Sequence, residues 1–389
     1  MSRLEELIEQ YCPDGVEYVR LGDVAQVCRG TRVVRSQLTE VGYPVYQNCL
    51  TPMGCFEDTN CPKGTTFVIC GGAAGNVGYT DVDCWAADDC EYIECSHTIL
   101  NRYVYYCLMS KQHYLLSKVR KASIPRLSPN VIKDLEIPVP PLPVQEEIVR
   151  ILDAFTELQA ELQAELQKRL QQYEYYKWNI FEGLSCPTKH ITDVALVKAR
   201  VGWQRLTTAE YQETGDYYLI TGTDFKNGKI DFNSCVFVSK ERYEMDPNII
   251  VGKGDILITK DGTLGKVAFM AEEPNKPTTL NSGVFRIHTT DPQVSSRYLF
   301  HYFTSKYFTD FVNSVKTGST IPHLTQQGLV SLNIPLPSLE EQNRIVSILD
   351  RFDTLTNDLT AGLPAEIEKR RQQYEYYRDK LLTFKRKGA

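Results

Sequence analysis

The chain contains no uninterrupted apolar run that approaches the length of a membrane-spanning helix, so a membrane protein is not expected. It also contains no G-x-S-x-G or H-E-x-x-H motif, and its 6 histidines lack the spacing of metal ligands. A phosphate-binding P-loop is absent too, because Gly265-Lys266 is followed by valine where the motif needs a Mg²⁺-binding hydroxyl. These absences predict a chain that is not an enzyme, has no cofactor of its own and holds no metal.

The N-terminal residues lack the apolar stretch of a secretion signal; charged residues alternate with Leu and Ile there and predict a short helix. A soluble, cytoplasmic protein is therefore expected, in a reducing compartment where disulfide bonds are disfavoured. Cysteine is nevertheless plentiful, with 12 residues. Their closest spacings, such as Cys90 to Cys95, do not fit the short ligand pairs of structural zinc sites. We expect buried free thiols that pack as small hydrophobic side chains.

Basic charge is unevenly placed, although the net charge of −6 argues mildly against a nucleic-acid-binding protein. The segment 95–133 contains no acidic residue and seven basic ones. Four of these lie close together in the chain, namely Lys118, Arg120, Lys121 and Arg126. A second, weaker group consists of Lys260 and Lys266 in a glycine-containing turn, and of Lys316. We interpret both groups as candidate nucleic-acid contacts, with an ordinary solvated surface as the alternative.

The chain repeats itself. Segment 124–155 matches segment 321–352 at 15 of 32 positions, and the hexapeptide QQYEYY at 171–176 recurs unchanged at 372–377. Fainter matches precede these in the same order, including Gly72-Ala-Ala-Gly75 against Gly262-Thr-Leu-Gly265. Each half is therefore a variable module followed by a nearly constant segment. This is the pattern of one scaffold that carries two different recognition modules.

The constant segments are predicted to form long helices. Apolar residues at spacings of three and four continue from Gln145 to Glu182, which predicts a helix about 57 Å long at 1.5 Å per residue. The second copy begins at Ser338 to Glu341 with the spacing of a capping box, and Gly362 and Pro364 predict a kink or break. One apolar stripe needs a partner, so we expect the two helices to pair with each other. The alternative is that each helix packs on its own module.

The variable modules show a different pattern. Short β-branched runs, such as Thr65–Ile69 and Asp255–Thr259, are separated by clusters of Gly, Asn and Asp and predict strands. Tyrosine-rich segments at 102–108 and 297–303 predict helices packed on the sheets. The fold class is therefore α+β. The predicted segments are an N-terminal helical segment (1–20), a first module (21–140), a helical spacer (141–186), a second module (187–337) and a C-terminal helical spacer (338–389).

With these motifs the chain resembles the specificity subunits of type I restriction–modification systems. The resemblance rests on L-G-D-V-A at 21–25, G-D-I-L-I-T-K-D-G-T-L-G-K at 254–266, IPLPSLEEQNRIV at 334–346 and QYEYYRDKLL at 373–382. The repeated tetrapeptide L-Q-A-E around Leu158, Leu162 and Leu166 resembles the spacer repeat of one subgroup, in which the copy number sets the distance between half-sites. The resemblance covers essentially the whole chain.

The resemblance implies two target-recognition domains joined by two long helices packed as an antiparallel coiled coil. The partners it implies are double-stranded DNA, two modification subunits that bring S-adenosylmethionine, and restriction subunits that use ATP and Mg²⁺. Because the two modules differ, the recognised site is expected to be bipartite and asymmetric. The alternative from another functional class is a scaffold that binds only proteins, with no role in DNA recognition.

Overall fold

The computed structural model describes residues 2–201, 206–318, 322–357 and 361–388. The chain divides into two compact units, Met1–Gln163 with Ile367–Ala389, and Ala164–Glu366. Each unit contains a module with its own core and the parts of the long helices that pack on it. Among the helices of the described residues, none is long and apolar enough to cross a membrane.

The first unit holds a short N-terminal helix and an α+β module. Its helices are α1 (Arg3–Tyr11), α2 (Leu21–Val24), α3 (Asn101–Ser110), α4 (Gln112–Ser117), α5 (Pro129–Lys133) and the start of α6 (Leu142–Glu182). Its strands are β1 (Tyr18–Arg20), β2 (Ala25–Arg29), β3 (Tyr43–Tyr46), β4 (Cys55–Phe56), β5 (Thr65–Ile69), β6 (Val77–Thr80), β7 (Trp85–Ala86), β8 (Cys90–Cys95) and β9 (Glu136–Pro138). An antiparallel sheet has the order β2-β8-β5-β6, a mixed sheet has the order β4-β3-β7, and β1 pairs with β9.

The second unit holds the other module. Its helices are α7 (Ile191–Val194), α8 (Lys240–Glu244), α9 (Ser296–Phe303), α10 (Lys306–Val315), α11 (Gln326–Val330), α12 (Leu339–Asn357) and the start of α13 (Leu363–Leu381). Its strands are β10 (Thr188–His190), β11 (Ala195–Ala199), β12 (Tyr217–Ile220), β13 (Phe225–Lys226), β14 (Lys229–Ile230), β15 (Val236–Val238), β16 (Ile256–Thr259), β17 (Val267–Phe269), β18 (Thr278–Leu280), β19 (Val284–Thr289) and β20 (Asn333–Pro335).

The three sheets described for the first unit recur in the second, which also contains the two-stranded pair β13–β14. The order β11-β19-β16-β17 is again antiparallel, β15-β12-β18 is again mixed, and β10 pairs with β20 as β1 pairs with β9. The parallel pair lies at the same place in both mixed sheets, between β3 and β7 and between β12 and β18. The internal repeat and the α+β fold class are therefore confirmed.

The predicted strands and helices of the modules form because their apolar residues are buried in a shared core. All residues of β5 and β16 are buried, as continuous β-branched runs require. The helices α3 and α9 pack on these sheets, and each contributes a fully buried tyrosine whose hydroxyl donates to a proline carbonyl. The acceptor of Tyr103 is Pro138 at 3.1 Å, and that of Tyr298 is Pro335 at 2.7 Å.

The long helical segments largely follow the sequence pattern. The helix α6 is continuous over 41 residues, and the second segment is broken between Asn357 and Leu363, with residues 358–360 outside the described part. The expected capping box at the start of α12 is half formed. The Ser338 hydroxyl accepts from the backbone N–H of Glu341 at 3.3 Å, but the Glu341 carboxylate binds Arg344 instead of the cap backbone. The box prediction was wrong for its carboxylate, because a nearby guanidinium offers a charged partner.

Both expected packing modes of the helices are present. The first turns of α6 bury Ile148 and Leu152 in the core of the first module. Further along, Phe155 stacks on Tyr377 with ring centroids 5.6 Å apart, and Tyr173 stacks on Phe352 at 5.8 Å. Residue numbers thus rise along α6 as they fall along its partners, so the helices pair in an antiparallel manner.

Candidate nucleic-acid interface

A glycine turn closes the same hairpin in both modules. In the first it connects β5 to β6, with Gly72 and Gly75 at φ of +84° and +90°, and in the second it connects β16 to β17, with Gly262 and Gly265 at +71° and +73°. The Gly75 N–H donates to the Ile69 carbonyl at 2.8 Å, and the Gly265 N–H donates to the Thr259 carbonyl at 2.9 Å. The faint glycine repeat therefore reflects one backbone shape, which needs residues tolerant of positive φ.

The basic segment of the first module lies beside its glycine turn. The N–H of Gly72 donates to the Pro125 carbonyl at 3.1 Å, and the N–H of Leu127 donates to that of Cys70 at 2.9 Å. Arg120 and Arg126 exchange backbone hydrogen bonds of 2.8 and 3.2 Å, which close the segment 120–126 into a loop. Residues about 50 positions apart in sequence thus form one surface, here named the turn–loop surface, from residues 70–76 and 118–127.

The second module has an equivalent turn–loop surface, from residues 260–266 and from the described parts of 316–324. The N–H of Leu324 donates to the Lys260 carbonyl at 2.9 Å, as Leu127 does to Cys70. Thr317 and His323 exchange backbone hydrogen bonds of 2.9 and 2.8 Å, as Arg120 and Arg126 do. Ile321, which belongs to the repeated I-P-x-L motif, lies outside the described residues.

The four basic candidates of the first module lie together and are exposed. Lys118 directly follows α4, with Nζ 5.2 Å from the centre of the Tyr114 ring. Arg126 donates from Nη1 to Asp89 Oδ1 at 3.1 Å, so a carboxylate already offsets part of its charge. Among the described residues, no carboxylate forms an ion pair with Lys118, Arg120 or Lys121. These three side chains therefore supply most of the unpaired positive charge of this surface.

The three candidates of the second module differ in exposure. Lys260 is half-buried with Nζ 5.3 Å from the centre of the Phe285 ring, while Lys266 is exposed at the end of the glycine turn. Lys316 directly follows α10 and donates from Nζ to Asn313 Oδ1 at 3.0 Å. His323 Nδ1 lies 2.6 Å from Asp261 Oδ1, in the place that the Arg126–Asp89 pair has in the first module. The two surfaces share a backbone but carry different side chains.

The sequence interpretation missed Arg29. Its side chain lines the same cleft as Arg120 and Arg126, together with Asp88, Asp89 and Glu91. Its Nε donates to the Asp88 carbonyl at 3.3 Å. Burial raises the pKa of Glu91, and the nearby Arg29 opposes this shift. The acid-free basic segment did not include Arg29, which lies at the end of β2, and its place beside Arg120 and Arg126 depends on tertiary contacts.

Other basic residues anchor the long helices. Arg102 was counted in the acid-free segment, but its Nε donates to Asp153 on α6 at 2.8 Å. The second unit repeats this contact between Arg297 and Asp350 on α12 at 2.7 Å. Each aspartate also binds a second side chain, the Tyr106 hydroxyl in the first unit and His301 Nε2 in the second. These arginines join module to helix and contribute little charge to the turn–loop surface.

The cysteines are free thiols, and seven of the 12 are buried. Burial raises the pKa of the Cys70 thiol to about 12, so it stays protonated at neutral pH. Within the described ranges, no cluster of three or more His, Cys, Asp or Glu side chains could hold a metal ion. The buried-thiol expectation agrees with these positions, while the prediction that the chain binds no metal or cofactor stays a prediction.

Two α+β modules with the same main sheet orders, different exposed side chains and basic turn–loop surfaces, each packed on long helices, define a protein with two recognition modules. The chain belongs to the family of type I restriction modification DNA specificity domains, whose model matches residues 13–172 and 188–369. One copy of the domain therefore falls on each half of the internal repeat. The chain is thus the specificity subunit, which recognises DNA, and not a catalytic component.

Individual relatives agree with this assignment. The chain is 34% identical to a putative type I restriction enzyme specificity subunit of Haemophilus influenzae over 77% of this chain and 76% of the relative. It is 33% identical to the EcoR124I/EcoR124II specificity subunit of Escherichia coli over 65% of this chain and 63% of that relative. In structure it is similar to a type I S subunit from M. genitalium, with a TM-score of 0.59, 16% identity and coverage of 95% and 96%. That structural likeness supports the fold.

Proposed function

We propose that this chain reads an asymmetric, bipartite DNA sequence through its two modules, each of which binds one half-site of the same duplex. The observation that carries the proposal is the repeated turn–loop surface. Equivalent backbone hydrogen bonds join a glycine turn to a second segment in both modules. Both surfaces carry basic residues, while the side chains at equivalent positions differ. Basic residues supply phosphate contacts, which position a protein on DNA, and differing neighbours supply the contacts that distinguish bases.

We further propose that the helical segments dock two modification subunits and that restriction subunits join this assembly. S-adenosylmethionine, ATP and Mg²⁺ would then be bound by those partners. The internal repeat supports a pair of modification subunits, because two similar helical surfaces, each beside a similar module, would suit two copies of one partner.

The test is methylation mapping in cells that carry the modification partner with and without this chain. We expect modified bases at a single motif of two dissimilar specified parts separated by an unread gap, and only when this chain is present. A palindromic motif, a continuous motif, or a pattern that does not depend on the chain would refute the proposal.

A further inference from the structure

The loop that follows β3, residues 47–54, lies directly against the glycine turn of the first module. The N–H of Ala73 donates to the Asn48 carbonyl at 2.8 Å. Gly72 approaches so closely that a Cβ at this position would lie 2.8 Å from the Asn48 Cβ. The backbone of Asn48 is therefore held against the turn, so the Cα atom that carries its side chain has a defined position.

The amide of Asn48 is exposed, and no described residue forms a hydrogen bond with it. The neighbouring amides are engaged. Gln47 donates to Asp88 Oδ1 at 3.4 Å, and Gln112 donates to Asn76 Oδ1 at 3.1 Å. Asn48 thus keeps both its donor and its acceptor available to a ligand.

The position of Asn48 relates it to the basic loop. The glycine turn donates a hydrogen bond from the Ala73 N–H to the Asn48 carbonyl, and another from the Gly72 N–H to the Pro125 carbonyl of the basic loop. When Arg120 and Lys121 contact phosphates, a side chain fixed on the adjoining turn lies close to the groove beside that backbone.

We propose that Asn48 reads one adenine in the half-site bound by the first unit. Its Oδ1 would accept from the adenine N6 amino group while its Nδ2 donates to N7, a bidentate pair that the other bases do not offer. This inference rests on the proposed function and names a specificity-determining residue within it.

The loop of the second unit that follows β12 differs from the loop around Asn48. Residues 46 and 220 are equivalent, because the Tyr46 carbonyl accepts from Ala87 at 2.8 Å as the Ile220 carbonyl accepts from Asn281 at 3.0 Å. Two residues further along the chain, the first unit has Asn48 and the second has Gly222. Glycine has no side-chain amide, so the second half-site must be read by other groups, which agrees with dissimilar half-sites.

The experiment compares the wild-type chain with two variants in the assembled modification complex, using methylation of a DNA library with both half-sites randomised. Asn48→Ala removes the amide and is expected to reduce the preference at one A·T pair by roughly tenfold to hundredfold. Asn48→Asp keeps the size but replaces the donor with an acceptor, and is expected to shift the preference at that pair from adenine towards cytosine. The other half-site and the gap should not change.

Asn233→Ala is the matched control, since Asn233 is an exposed asparagine of the second unit; it should leave the half-site of the first unit as in wild type. A wild-type half-site without adenine, or an unchanged motif in both Asn48 variants, would overturn the inference while leaving the bipartite site intact. A wild-type complex without any sequence preference would overturn the proposed function as well, so the two failures are distinguishable.

Discussion

A buried glutamine at the start of each helical segment should hold the helix on its module. Gln145 is fully buried, and its Oε1 accepts from the Leu100 N–H at 2.9 Å. Its Nε2 donates to the carbonyls of Thr98 at 3.0 Å and Pro140 at 2.7 Å. Gln342 repeats this arrangement with Ser295, Gln293 and Pro337. We predict that Gln145→Leu, which preserves most of the volume, loosens the contact between α6 and the first module.

The magnitude follows from the three hydrogen bonds that Gln145 makes. At about 1 kcal/mol each, their loss should lower the free energy of local unfolding by about 3 kcal/mol. The added apolar carbon atoms do not compensate, because backbone groups are left without their partner in a buried site. A change of this size would raise the exchange rate of the affected amides by roughly two orders of magnitude.

Native-state hydrogen exchange with mass spectrometry is the suitable assay, because two units need not unfold in one transition. Faster exchange is expected in peptides covering residues 96–110 and 140–152, with little change in the second unit. Gln342→Leu should instead speed amide exchange in the second unit, with little change in the first. Gln163→Leu is the matched control, since Gln163 is exposed on the same helix, and should change stability by less than about 0.5 kcal/mol. Equal exchange in Gln145→Leu and Gln163→Leu would refute the anchoring role.

Three other predictions concern DNA binding, the spacer and pH. Lys121→Ala should weaken DNA binding by the assembled complex and reduce its salt slope by about 0.9, as loss of one phosphate contact requires; a wild-type slope would remove Lys121 from the phosphate contacts. Insertion of one Q-A-E-L unit after Leu166 adds about 6 Å of helix, so methylation mapping should show a longer gap and unchanged half-sites; an unchanged gap would contradict the spacer role. Burial lowers the pKa of His301 below 6.5, so the unfolded chain binds a proton more readily, and exchange protection of the second unit should fall as the pH drops from about 7 to 5.5. His301→Tyr, which installs the residue that the first unit has at Tyr106, should remove this fall, and persistence of the pH effect would assign it to another group.

Much of the fold could be predicted because it is encoded in local patterns. The apolar spacing of α6, the glycine before α13 and the proline in its first turn are properties of neighbouring residues, and so are the β-branched runs of β5 and β16. The carboxylate half of the capping box at Ser338 was wrongly predicted, because that prediction also used only the spacing of neighbouring residues. A spacing rule identifies a possible partner for the cap but not Arg344, which competes for the same carboxylate.

The candidate site could be predicted only in part. Charge clustering identified the segment 118–126, yet it also counted Arg102, whose guanidinium is bound to Asp153 on α6. Charge clustering treated Arg126 and Lys121 alike as candidate nucleic-acid contacts. Asp89, however, forms an ion pair with Arg126 and not with Lys121. Which charges are compensated depends on residues that approach from other strands, and a count along the chain does not contain them.

The sequence by itself determined the internal repeat, the α+β modules, the long helices and the family, because periodicity and repeated motifs are visible along the chain. Only the tertiary structure decided that the glycine turn, the basic loop, Arg29 and Asn48 share one surface of the first module. Those residues come from separate parts of the sequence and meet because sheet pairing and backbone hydrogen bonds bring distant segments together. Such contacts follow from the path of the folded chain, which no local pattern specifies.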